Sequence, residues 1–190
     1  EGTGFVSDPS FTNITTQPPA VEVQPPSGLV HPVIDGEVTN YFEWLGAGLV
    51  EVASVGDARH QVAGHASAMT VIEFGCDLEN LYLRVAAATR MVDLLGEGQE
   101  VSLNFLKPDG YRVTVGVRGG LAEVQFVGGC PGIEAAVGAE LEIRVPFSCL
   151  GVTPPAMLSF SVALNRSGAE VEHHPRHQPI DVWVPDGQCS

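Results

Sequence analysis

Three aromatic side chains fall within four residues, at Tyr41, Phe42 and Trp44, with the carboxylates Glu37 and Glu43 beside them. Flat apolar rings next to hydrogen-bond acceptors suit a sugar, whose C–H face stacks on the ring while its hydroxyls donate to the carboxylates. Trp183 and Tyr111 offer the same chemistry later in the chain. Tyr41, Trp44, Trp183 and Tyr111 are therefore the candidate carbohydrate-binding residues. Each type also serves in cores, and Trp44 equally suits a packing position at the edge of the first strand pair. Trp183 alternates with Val182 and Val184, so it and those valines face opposite sides of a strand.

Other reactive residues point less far. His173, His174 and His177 lie within five residues, and in extended backbone His173 and His177 share a side while His174 faces away. With Glu172 they could hold a metal ion, but Pro175 and Arg176 read as an exposed turn, and no metal is expected. Met69, Met91 and Met157, with His65, could ligate haem, yet three methionines are ordinary gap-fillers. No cofactor is expected. Glycoside hydrolysis would need two carboxylates at a defined separation, and acidic side chains on a surface usually serve solvation. No GxSxG, HExxH or phosphate-loop motif occurs, so the chain is expected not to be an enzyme. Cys76, Cys130, Cys149 and Cys189 are too scattered for a zinc knuckle. They read as two disulfides in an exported protein, with three pairings open.

The elements that must position these residues read as strands. Glycine (22) and proline (14) are raised and charge is sparse, which favours short strands and turns over helices. Leu81–Ala86, Gln99–Leu106 and Tyr111–Val117 alternate apolar with polar, and Lys107-Pro108-Asp109-Gly110 is a hairpin turn between the last two. Asp35-Gly36 is another tight turn, with Asp35 able to bond its own downstream backbone. Only Ala87–Leu95 invites a helix, and Phe147–Leu150 one turn. Strands every ten residues or so predict an all-β antiparallel sandwich over residues 30–190. Residues 1–29 read as an extended Pro-rich arm, in which Phe11, Ile14, Val21 and Val23 could enter a sheet. A formal net charge of -14 makes nucleic acid a poor partner, and no apolar run is long enough to span a membrane as a helix.

One ordered series of residues resembles a known module. It runs through Ile34-Asp35-Gly36-Glu37-Val38-Thr39, Tyr41-Phe42-Glu43-Trp44, Gly46-Ala47-Gly48, Phe74-Gly75, Leu81-Tyr82-Leu83-Arg84, Val145-Pro146-Phe147, Leu150-Gly151, Val171-Glu172 with Pro175, and Ile180–Pro185. This series is similar to the β-sandwich that follows the catalytic domain in family 57 glycoside hydrolases, grouped with DOMON and carbohydrate-binding module family 9 domains. The resemblance covers about residues 20–186 and implies the same sandwich. The module's usual catalytic domain is missing and the cysteines depart from the pattern, so the expectation is a stand-alone relative, secreted or on the cell surface. The expected function is non-catalytic binding of a glucan-type polysaccharide. The alternative is a structural subunit whose arm adds a strand to the next copy, making filaments.

Overall fold

Alternating apolar residues build two antiparallel sheets in the computed structural model, which describes residues 23–52 and 67–187, without the side chain of Tyr41. The first sheet runs in the order β1 (Val23–Gln24), β2 (Gly48–Glu51), β3 (Met69–Cys76), β4 (Asn80–Ala87), β9 (Leu141–Pro146) and β8 (Glu134–Val137). The second runs β11 (Ala169–His174), β10 (Ala156–Arg166), β5 (Gln99–Lys107), β6 (Arg112–Arg118) and β7 (Leu121–Phe126). β12 (Ile180–Val184) pairs with β10 on the same side as β11, against residues 156–160 where β11 takes 162–166. The sandwich expected from the sequence is thus the observed fold.

The alternation also placed the faces. Ile72 and Phe74 of β3, Leu81 and Leu83 of β4, Leu103 of β5 and Phe160 of β10 are fully buried between the sheets. There Phe74 meets Phe160 edge to face, with centroids 6.2 Å apart.

Three local expectations change. Residues 30–47, expected as strand and turn, form instead a third layer over the outer face of the first sheet. Asn40 caps a 3-10 turn, Tyr41–Trp44, by accepting from Phe42 N–H at 3.0 Å. Val30, Trp44 and Tyr82 make a small second core there, flanked by Ile34 and Ala47. Gly75 permits this layer, because a Cβ on it would lie 2.7 Å from a Val30 methyl. The helix α1 (Met91–Gly96) is shorter than the sequence suggested, because β4 stays paired with β3 as far as Ala87. Its first N–H groups, on Met91 and Val92, are taken by the carbonyls of Ala139 and Gly138 in the β8–β9 turn. Strand β8 escaped the sequence reading, since Glu-Ala-Ala-Val carries little β propensity. It forms because β9 offers it an edge, with Glu134 ion-paired to Arg144 opposite.

One side chain fastens the third layer. Glu142, on the outward face of β9, is 2% exposed. Its Oε2 accepts from the N–H of Asp35 and of Gly36, each at 3.0 Å, and its Oε1 from Trp44 Nε1 at 3.3 Å. Gly36 has φ +76° with backbone of the β8–β9 turn against it, and Asp35 accepts from Glu37 N–H at 2.9 Å, the turn expected from the sequence. Glu142→Ala leaves three donors without their acceptor, two of them buried, and the expected loss is about 3 kcal/mol in urea unfolding. Glu142→Gln, which keeps a carbonyl oxygen, should lose less. An alanine variant as stable as wild type would remove Glu142 from this role.

Candidate functional site

The two tryptophans have opposite fates. Trp44 is only 6% exposed: its ring lies against Val30 and Tyr82, its N–H is bound to Glu142, and the Arg84 guanidinium sits 5.9 Å from its centroid. The expectation that Trp44 offers a sugar platform is corrected, because the side chain is almost wholly buried and its polar tip is bound inside the protein. The Arg84 guanidinium is itself held by Glu73 at 3.1 Å and by Glu140. Burial works to lower the Arg84 pKa, but these carboxylates win and raise it. Burial likewise drives the upward shifts of Glu73 and Glu142. A cleft of about 280 Å³ opens beside this cluster, between Gln24, Trp44 and Arg84.

Trp183 is 59% exposed on β12, while its neighbours Val182 and Val184 are buried, as the alternation predicted. Its groove holds about 430 Å³, with Pro25, Pro26 and Leu29 on one wall and Met157, Asp181 and Trp183 on the other. The first wall is fixed by Ser27 N–H donating to Gly46 O at 2.8 Å, so the third layer positions half of this groove. An exposed indole, apolar flanks and a carboxylate two residues away on the same strand face are what a sugar ring uses.

Tyr111 is half-buried and stacks on Phe126 at 5.8 Å, so one ring face is already covered. It borders a separate groove of about 320 Å³ that also meets Asn104 and Arg112. The four sugar candidates therefore do not converge on one place. Tyr41 begins the 3-10 turn, and its side chain lies outside the described residues, as do Phe11, Ile14 and Val21. Val23 pairs inside its own chain, opposite Val50.

Of the cysteines, Cys130 and Cys149 form a disulfide. The expectation of a bridge at Cys76 is not met among the described residues: it is a buried free thiol, directed between the sheets by its place on β3, with Trp183 O 3.9 Å away. Cys189 lies outside the described residues. Burial, assisted by Asp77, pushes the Cys76 thiol up to about 11. Iodoacetamide at pH 8 should therefore leave Cys76 unmodified in the native protein and label it after denaturation, read by peptide mass. Rapid native labelling would contradict its burial.

The histidine run is only in part the exposed turn that was expected: residues 175–178 bend, and Arg176 and His177 are exposed. His174 and Pro175 are buried, whereas His173 is outside and faces Glu170 at 3.4 Å. His174 Nε2 lies 2.8 Å from Glu172 Oε1 and 3.2 Å from Ser67 Oγ, and Ser67 also donates to Glu172. A nucleophile relay needs the serine and the acid on different imidazole nitrogens. Here both address the same one, so the serine proton goes to the carboxylate and no base is left to accept it. Glu172 also accepts from the N–H of Ala68 and Met69, at 2.8 and 3.1 Å. The group ties β11 of one sheet to the start of β3 in the other. Sequence inspection missed this clamp because its partners lie over one hundred residues apart. Among the described residues no three His, Cys, Asp or Glu gather at metal-binding distance, and no helix is long and apolar enough to cross a membrane.

No protein-family model matches the chain, and no curated protein sequence matches it.

Acid should act through two carboxylates. Burial alone would raise Glu172, but His174, Ser67 and the two N–H groups hold it below 4.5. Burial would raise Asp77 too, yet donation from Glu79 N–H, Tyr82 O–H and Asn80 holds it below 3.8. A depressed carboxylate stabilises the fold above its unfolded pKa and loses that contribution as pH falls through the folded value. Urea midpoints should drop as pH falls below about 4.5. Glu172→Gln and Asp77→Asn should each lower the midpoint at pH 7 and flatten the acid decline. An unchanged decline in both variants would assign it elsewhere.

Proposed function

We propose that this chain is a non-catalytic, exported carbohydrate-binding domain for a glucan-type polysaccharide, with Trp183 as its platform. The observation that carries the reading is the exposed indole of Trp183 in a groove with apolar flanks and the Asp181 carboxylate. A large ring held on a rigid strand, with 59% of its surface in water, does nothing for the core. Because the strand fixes its orientation, it binds at small entropic cost. The resemblance of the chain to the sandwich module of family 57 glycoside hydrolases points the same way. The Cys130–Cys149 bridge supports an oxidising, extracellular setting.

The rival reading, assembly by arm exchange, is favoured by one feature: among the described residues β12 pairs with β10 alone, leaving an open edge. Against it, Val23 already completes its own sheet. The Trp183 reading therefore stands first.

Calorimetry with soluble glucans separates the two. Trp183→Ala should weaken binding at least about thirtyfold, the cost of losing a central aromatic contact, with unfolding within about 0.5 kcal/mol of wild type. Trp44→Ala should cost about 3–5 kcal/mol of stability, as for a buried tryptophan. No heat with any glucan would remove the sugar reading. Sizing the chain without residues 1–19 then tests assembly, since loss of a wild-type oligomer would support arm exchange.

A further inference from the structure

The outward face of the second sheet links the Trp183 groove to the groove beside Tyr111. In β10, Leu158, Phe160 and Val162 point into the core, which turns Met157, Ser159 and Ser161 outward. Directly paired residues share a face. Asp181, Ser159 and Lys107 therefore form one row across β12, β10 and β5. Ser161, Asn104 and Arg112 form the next, across β10, β5 and β6.

The short residue is the centre of the first row and one end of the second. Ser159 and Ser161 are only 3% and 5% exposed although they face outward, while Asp181, Lys107 and Arg112 on the flanking strands are exposed. Both serines are thus covered, and the groups this face offers a ligand are Asp181, Lys107 and Arg112, with Asn104 half-buried beside Arg112. Asp181 borders the Trp183 groove at one end, and Asn104 and Arg112 border the Tyr111 groove at the other. From β12 to β6 is three strand spacings, about 14 Å, longer than one sugar ring.

We propose that the two grooves and the exposed polar side chains between them are one track for a linear, uncharged polysaccharide, which stacks on Trp183 and crosses the sheet to Asn104 and Arg112. This rests on the reading of Trp183 as a sugar platform and adds that the domain reads an internal run of the chain, not a single ring. The chemistry of the rows selects the occupant. On a chain of net charge -14, the two rows carry one carboxylate, Asp181, against two cations, Lys107 and Arg112. Donors and acceptors alternate at intervals with no dense charge of either sign, the pattern that matches hydroxyls and not a polyanion. Arg112 Nε donates to Asn104 Oδ1 at 2.6 Å, which fixes the pair and leaves further N–H donors on an exposed guanidinium.

The test is calorimetry of the full chain with maltose, maltotetraose and maltohexaose, on wild type, Trp183→Ala and the double variant Asn104→Ala/Arg112→Ala. Affinity should rise about tenfold or more from maltose to maltohexaose, the worth of one or two well-placed hydrogen bonds. The double variant should bind maltose as wild type does and lose that rise, and Trp183→Ala should weaken all three. Arg112 is exposed and Asn104 half-buried, and circular dichroism checks the fold. Equal affinity for all lengths, with Trp183→Ala still damaging, would overturn the track and leave the platform standing. A double variant that keeps the full rise would also overturn it. No binding of any length by wild type would overturn the platform as well.

Discussion

A buried carboxylate organises the unusual half of this sandwich. Glu142 stands on the outward face of β9, where a sandwich strand normally meets water, and it is almost fully covered. It is tolerated because three donors converge on it: two backbone N–H groups of the Asp35-Gly36 turn and the Trp44 indole. Burial still pushes its pKa up. The net effect is a layer of backbone locked across a sheet face at one polar point, with Val30, Trp44 and Tyr82 closing over it. Much of the segment's apolar surface, on Val33, Val38, Phe42 and Leu45, faces water and contributes nothing to holding it in place.

The exposed grooves follow from this placement. By taking Trp44 into the third layer, Glu142 removes one aromatic from service. The same layer carries Gly46, whose carbonyl holds Ser27 and so sets one wall of the Trp183 groove. The other wall comes from the second sheet, where strict alternation on β12 forces Trp183 out as Val182 and Val184 go in. A second clamp, Glu172 with Ser67 and His174, ties the two sheets together at the start of β3. One wall of the groove is held by the Ser27–Gly46 contact and the other by the pairing of β12 with β10.

Much of the frame was legible in the chain. The two-residue period put Leu81, Leu83, Val101, Leu103, Val113 and Val115 on the core face, with Tyr82 and Arg84 on the opposite face of β4, and set Trp183 opposite Val182 and Val184. The Asp35 turn, the hairpin after Lys107 and the single turn at Phe147–Leu150 also stand where local chemistry put them. What could not be read was decided by distant partners. Trp44 looked like Trp183 in sequence, and only a glutamate about a hundred residues away separates their roles. The disulfide pairing, the burial of His174 and the existence of β8 have the same origin.

The sequence by itself determined the fold class and the direction of most strand side chains, because both follow from a repeat of two that neighbouring residues set. Which aromatic meets water, which cysteines join and which charges are buried was decided only by the tertiary structure. Those outcomes depend on contacts between residues far apart in the chain, and local pattern carries no record of them.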